Sequence, residues 1–192
     1  MTKAQLKKQY SEKRNHFSFE ALQEKSLGIS QNFYNHFDLK AIKTLHVFLP
    51  MVKKKEINTW IIIQSLFENY PYITLVVSKS VFETCRMESY IFERNTKIIE
   101  NRWGIPEPIN ATVCADDKID MILLPLLCFE QRGFRVGYGK GFYDRFLVKC
   151  RSNIIKIGLS LFEPVDKIED INDYDVKMDF CVMSDGIWKR PL

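Results

Sequence analysis

Met121 to Leu147 runs MILLPLLCFEQRGFRVGYGKGFYDRFL. The apolar run Met121 to Leu127 has the length and content of a buried strand, ended by Pro125. Four of the chain's eight glycines, Gly133, Gly137, Gly139 and Gly141, then fall within nine residues, interleaved with Arg135 and Lys140 and bracketed by Arg132 and Arg145. Gly141 to Lys149 returns to helical spacing. Strand, glycine-dense turn and helix, in that order, is how an α/β protein presents a helix N-terminus to an anion. Without Cβ atoms in the way, backbone N–H groups can turn inward and approach a ligand, and the added cations suit polyphosphate. Glycines alone fit a ligand-free tight turn equally well. The basic and tyrosine residues, with Asp144 directly behind them, favour the anion.

The turn is neither of the two common phosphate loops. A P-loop places Ser or Thr after its lysine, whereas Lys140 is followed by Gly141 and Phe142. A dinucleotide fingerprint wants a small residue where Phe142 stands, although Glu163 lies at a suitable distance for a ribose contact.

Composition bounds the rest. A chain of 192 residues fits one domain, here spanning 1–192, and 46% hydrophobic with 27% charged residues is ordinary for a soluble globular protein. No apolar run approaches the ~20 residues of a membrane span. The opening MTKAQLKKQYSEKR is too polar for a secretory signal, so a cytoplasmic protein is expected. A net charge of +4 suits an anionic small molecule as readily as nucleic acid. The five cysteines include no C-x-x-C pair, which argues against a zinc site or a disulfide framework.

In chain order, Thr2 and Gln5 form a capping box for a helix to Arg14, which sets Lys3 and Lys7 on one face. Ser18 caps a second helix to about Phe37, with Leu22, Ser26, Ile29, Phe33 and Phe37 as its core stripe. Thr44 to Leu49 reads as the first strand, with His46 packed inside it, and Pro50 to Glu56 as the loop beyond its carboxyl end. Parallel α/β sheets place ligand contacts there, which draws attention to Glu56; Lys53 to Lys55 are equally well a solvated turn. Asn58 caps a helix from Thr59 to Glu68. Further strands are expected at Ile73 to Ser78, Met87 to Phe92, Ile98 to Glu100, Ile154 to Leu159 and Phe180 to Met183. Arg102 to Pro108 (RWGIPEP) is expected to be a rigid loop, since its prolines restrict the residues before them. Trp103 either packs under the sheet or offers a flat wall to an aromatic ligand. The acidic tract from Glu163 to Asp179 is mostly solvent-facing. The alternation of strand and helix after Thr44 predicts a mostly parallel sheet covered on both faces.

Taken together, these blocks resemble the signature of 5-formyltetrahydrofolate cyclo-ligase, also called 5,10-methenyltetrahydrofolate synthetase. The central block is QRGFRVGYGKGFYDR, Gln131 to Arg145, after LLPLL. Lys3, Leu6 and Lys7 resemble the family's N-terminal K-x-x-L-R; FLPM (Phe48 to Met51) with EINT (Glu56 to Thr59) is similar to its second block; GIPEP (Gly104 to Pro108) resembles its third. Asp175 and Asp179 match its final acidic pair. Five blocks in the right order span nearly the whole chain.

The resemblance implies a three-layer α/β/α sandwich with a mostly parallel, Rossmann-like sheet. It also implies an ATP- and Mg²⁺-dependent closure of 5-formyltetrahydrofolate to 5,10-methenyltetrahydrofolate. Lys3, Lys7, Arg132, Arg135 and the segment Gly137, Tyr138, Gly139, Lys140 and Gly141 would hold ATP; Asp144 and Asp175 would carry Mg²⁺. Met51, Glu56 and Tyr143 would contact the reduced folate; Trp103 as an aromatic wall beside them is an expectation from its residue type and not part of the resemblance. Arg135, Lys140 and Tyr143 would serve the chemistry. The expected partners are small molecules, neither nucleic acid nor membrane, acting on a monomer. Lys7 replaces the family's usual arginine, which keeps the charge and loses the planar fork. Gln131 and Phe142 stand where Arg and Tyr are frequent. Two rivals are a different nucleotide or phosphosugar enzyme on a related scaffold, and a nucleic-acid binder using Lys3, Lys7, Lys8, Lys13 and Arg14.

Overall fold

Every other residue of the segment Met121–Pro125 faces a different core. In a computed structural model, which describes residues 1–191, Met121 and Leu123 join one hydrophobic cluster while Ile122 and Leu124 join another. Period-two alternation of apolar residues on both faces is what a strand inside a covered parallel sheet requires.

The elements follow in order α1 (Lys3–Asn15), α2 (Phe19–His36), β1 (Thr44–His46), α3 (Trp60–Asn69), β2 (Thr74–Val81), β3 (Arg86–Ile91), β4 (Lys97–Glu100) and β5 (Pro106–Ile109). Then come β6 (Met121–Pro125), β7 (Cys128–Phe129), β8 (Arg135–Val136), α4 (Phe142–Leu147), β9 (Ile155–Leu159), β10 (Phe180–Val182) and β11 (Ile187–Lys189). Seven strands form one sheet in the order β11-β10-β9-β6-β1-β2-β3. The inner five are parallel neighbours, and β3 and β11 pair antiparallel at the two edges. The expected mostly parallel α/β sheet is present.

Helices α2 and α3 cover one face, burying Leu22, Ile29, Phe33, Ile62, Ile63 and Leu66 against Leu45, Leu75, Leu123 and Ile157. Phe33 has no exposed surface, and its truncation to alanine would cost about 3–5 kcal/mol. On the other face α4 supplies Phe146 and Leu147, irregular segments supply Ile119, Ile154 and Met178, and β11 supplies Trp188. Helix α1 lies on a third, smaller cluster in which Leu6 meets Cys128, Val136 and Ile168.

Two of the three expected caps are present: Thr2 and Gln5 form a complete capping box, and Ser18 Oγ accepts from the Ala21 N–H at 3.1 Å. The third is not: α3 begins at Trp60 with Thr59 at its N-cap, so Asn58 lies outside the helix and its Oδ1 closes a local turn onto the Trp60 N–H at 3.2 Å. Several boundaries differ. Regular pairing of β1 stops at His46, and α4 has six residues where a helix to Lys149 was expected. Arg102 to Pro108 is not a free loop: Pro106 and Pro108 lie in β5, which pairs with β4 in a separate two-stranded ribbon. A strand with one neighbour has N–H positions that need no partner, so proline is tolerated. Between β6 and the glycine turn the chain inserts the β7–β8 hairpin. Strand β11 was not anticipated, and among the described residues α3 and α4 are the only α-helices after Thr44, so the alternation of strand and helix is looser than the sequence pattern suggests.

Candidate active site

From β1 the chain moves through α3 to β2 on one side, yet β6 pairs on the other side of β1. The order of connection therefore reverses between β1 and β6, and the loops leaving their carboxyl ends diverge into a crevice. The loop after β1 carries Met51 and Glu56; the segment after β6 carries the hairpin and the glycine turn.

Glu56 is 6% exposed, and its two oxygens are both engaged. Oε2 accepts the Met51 N–H at 2.7 Å, and Oε1 accepts the Tyr138 hydroxyl at 2.6 Å. Burial raises its carboxyl above the usual carboxylate range, while the Met51 N–H, Tyr138 and the Arg14 charge pull it back. Tyr138 in turn is pushed well up, first by burial and then by the Glu56 charge. The Arg14 Nη2 donates to the same hydroxyl at 2.8 Å, and Lys7 Nζ donates to the Tyr138 carbonyl at 2.6 Å. Helix α1 thus grips the glycine turn at two points. A third tie fixes the helix end: Lys55, in left-handed conformation, donates its ammonium to the carbonyls of Asn15 at 2.7 Å and Phe17 at 2.6 Å. A cation at the last carbonyls of a helix satisfies acceptors that have no intrahelical donor. A cavity of about 10 Å³, space for about one water, lies between Arg14, Phe48, Glu56, Pro125, Leu126 and Leu159.

A second cluster gathers the acidic residues. Arg135 donates to the Val176 carbonyl at 2.7 Å and to Asp144 Oδ1 at 2.9 Å, and that oxygen also accepts the Val176 N–H at 3.1 Å. Asp175, the preceding residue, pairs with the Lys3 ammonium and accepts the Asn172 N–H at 2.7 Å. Asp144 and Asp175 therefore stand on touching segments, each with a cation of the predicted ATP set already against it. Among the described residues no group of three or more His, Cys, Asp or Glu side chains is arranged to hold a metal ion. Two carboxylates fit Mg²⁺ when a phosphate supplies the remaining oxygens, which is how that ion is commonly bound.

Gly141 (φ 65°) leads into α4, and the Arg145 guanidinium folds back onto the carbonyls of Lys140 and Gly141 at 3.1–3.2 Å. The Lys140 side chain is exposed beside the turn. Tyr143 stands edge-on to His46 with ring centres 6.2 Å apart, and burial raises its phenol. His46 is wholly buried; Nε2 shares a 2.5 Å hydrogen bond with Ser78 Oγ, and Nδ1 has no partner among the described residues.

The structure brings Lys3, Lys7, Met51, Glu56, Arg135, Tyr138, Asp144 and Asp175 into these two clusters. Arg132 sits at the hairpin's turn, where it makes a bidentate pair at 2.7 and 2.8 Å with the buried Glu130. Trp103, at the β4–β5 tip, is 45% exposed and stacks on Phe82 with ring centres 3.4 Å apart. Phe82 meets Phe142 edge-on at 5.3 Å, so Trp103 reaches the glycine turn only through two other rings. Arg14 and Lys55 were missed as site residues. Arg14 follows Lys7 by seven residues, two helical turns, and that spacing could have placed it on the Lys3–Lys7 face.

The model of the 5-formyltetrahydrofolate cyclo-ligase family matches residues 1–184. The chain belongs to that family. The 5-formyltetrahydrofolate cyclo-ligase of Mus musculus is 24% identical over 172 residues, covering 84% of this chain and 83% of the mouse protein. That of Haemophilus influenzae is 28% identical over 138 residues, covering 69% and 71%. A solved 5,10-methenyltetrahydrofolate synthetase from Aquifex aeolicus superposes with a TM-score of 0.82 at 23% identity, over 100% of this chain and 96% of that one. At that identity the likeness speaks to the fold. Membership places the chain among the ligases of folate metabolism. Among the described residues no helix is long and apolar enough to cross a membrane.

Proposed function

We propose that the chain closes 5-formyltetrahydrofolate to 5,10-methenyltetrahydrofolate with consumption of ATP. The observation that carries this reading is the meeting, at the crevice between β1 and β6, of the glycine turn, the α1 cations and the buried Glu56. A formamide oxygen is a poor leaving group. Its attack on the γ-phosphorus forms an O–P bond, breaks the bond to ADP and leaves the formyl carbon electrophilic. N10 then attacks that carbon, its proton passes to solvent, and phosphate departs with the former formyl oxygen.

Phosphoryl transfer asks the protein mainly for position and charge. Lys3, Lys7, Lys140 and the backbone from Gly137 to Gly141 hold the triphosphate in this scheme, and Arg132 joins them only by leaving Glu130. Mg²⁺, when bound by Asp144 and Asp175, supplies charge neutralisation at the phosphate oxygens. Arg135 orients Asp144 while both grip Val176. Glu56 offers a carboxylate to the donor edge of the folate ring, Met51 and Tyr143 bound the same space, and Trp103 stands at its outer margin. Moving Lys3 from Asp175 to phosphate would free that carboxylate to hold Mg²⁺.

The test is to mix the protein with 5-formyltetrahydrofolate, ATP and Mg²⁺ and follow the methenyl chromophore and ADP. Equal yields of both are expected. No absorbance gain, with an authentic family member working alongside, would leave a different nucleotide or phosphosugar reaction as the better reading.

A further inference from the structure

Arg14 carries a charge that the sheet end has no ordinary reason to bury. Its residue exposure is 4%, its Nε has no hydrogen-bond partner, and among the described residues no carboxylate is in ion-pair contact with it. A buried cation without a counter-ion is costly, and such groups persist where a partner or a function holds them. Arg14 finds its counter-charge one residue away. Its Nη2 donates to the Tyr138 hydroxyl at 2.8 Å, and that hydroxyl donates to Glu56 Oε1 at 2.6 Å. The guanidinium also stands 5.6 Å from the Tyr138 ring centre, and both charged side chains line the cavity beyond β1, β6 and β9.

We propose that Arg14 is a positioning residue of the folate site: acting through the Tyr138 hydroxyl, it fixes the Glu56 carboxylate as an anion at the head of the crevice. The inference rests on the reading above that Glu56 receives the folate. The hydroxyl has one proton, and it points to Glu56 because Arg14 can only donate. A neutral residue at position 14 leaves the hydroxyl free to turn and removes the charge that favours the ionised carboxylate. The groups facing Glu56 are Arg14 from α1, Tyr138 from the glycine turn, Tyr143 from α4 and the Met51 N–H of its own loop. Of these, Arg14 is the cation. The same link makes the closed position of the glycine turn depend on α1 being docked, since Lys7 and Arg14 both hold Tyr138.

The experiment follows the Glu56 carboxyl carbon by ¹³C NMR during pH titration of the ligand-free protein, with Glu56→Gln used to assign the signal. Replacing Arg14 by glutamine is expected to raise the midpoint by about one pH unit or more, as loss of a neighbouring opposite charge does. Arg14→Lys, which keeps the charge, is expected to stay near wild type. Equal midpoints in wild type and Arg14→Gln would overturn the proposal, because a purely structural arginine would change stability without moving this titration. Should Arg14→Gln fail to fold, Tyr138→Phe carries the test: a raised midpoint supports the relay, and an unchanged one overturns it. In parallel, the KM for 5-formyltetrahydrofolate in Arg14→Gln is expected to climb toward low pH from a higher starting pH than in wild type, with the KM for ATP lacking that limb. A shifted Glu56 titration with no such change in the folate KM would sustain the relay and remove Glu56 from the folate site.

Discussion

Gly137 separates a ligand-binding turn from a merely tight one. Gly133 has φ +91°, and a Cβ built there would lie 2.9 Å from the Met178 carbonyl oxygen and 3.1 Å from the Trp188 ring. Gly139 and Gly141 also have positive φ. Gly137 does not, and a Cβ added to it meets nothing within 4 Å. The fold makes no use of its missing side chain, and in the proposed reading that open space is where a triphosphate lies against the backbone. Gly137→Ala should gain about 0.4–1 kcal/mol by restricting the unfolded chain, which for a protein of this size raises Tm by roughly 1–4 °C. The same methyl would push phosphate oxygens off the N–H groups of the turn. Loss of one charge-assisted hydrogen bond, about 1.5–3 kcal/mol, raises the KM for ATP by about tenfold or more. Gly133→Ala should do the opposite, losing about 1–3 kcal/mol of stability through backbone strain. Thermal melts and methenyl formation at varied ATP read both quantities. An unchanged KM for ATP in Gly137→Ala, or a melting loss equal to that of Gly133→Ala, would refute the placement of phosphate on this turn.

Burial pushes the His46 imidazole down to about 3. The folded protein keeps it neutral while the unfolded chain takes up a proton below about pH 6.5, so its contribution to stability is full above that pH and declines on acidification toward about pH 3. From about pH 7.5 to about pH 5 the loss is about 2 kcal/mol. Glu56 has the opposite sign, its raised carboxyl favouring the folded state at low pH, and the difference between wild type and His46→Gln cancels it. Parallel pH dependence of urea midpoints in the two proteins would contradict the burial of a neutral imidazole. Asp144→Asn keeps an oxygen for the Val176 N–H but removes the charge that faces the buried Arg135 guanidinium, so it should melt below wild type while still folding, and turnover should fall about 100-fold or more; a wild-type rate removes Asp144 from the metal site. The exposed Lys140 can be truncated with less than about 0.5 kcal/mol change in stability, and Lys140→Ala should raise the KM for ATP severalfold; no change would place the nucleotide elsewhere.

Local chemistry made the early helices readable. Thr2 with Gln5, and Ser18 with its stripe to Phe33, are signals contained within a few residues, and the structure uses each of them. Strands buried on both faces, such as Met121–Pro125, are equally legible as short apolar runs. The two-residue strands β7 and β8 are too short to show a period, and the prolines of β5 hide an edge strand by mimicking a loop. In the site, residue types were visible and their partners were not. Lys7 meets Tyr138 across 131 positions, Tyr138 meets Glu56 across 82, and Lys3 meets Asp175 across 172. No local pattern encodes such distances; they follow from the reversal of strand order at β1 and β6, which turns the separate blocks toward one crevice. Arg14 was the costliest omission, because in sequence it reads as one more charge on a basic helix.

The central claim is that the segment from Gly137 to Gly141 holds the phosphates of a nucleotide. A crystal grown with ADP and Mg²⁺ tests it directly. The expected density places the diphosphate within hydrogen-bonding distance of the N–H groups of Tyr138 to Gly141 and of the Lys7 ammonium, with the metal between phosphate and the carboxylates of Asp144 and Asp175. Ordered nucleotide anywhere else on the chain, with that turn left bare, would contradict the claim.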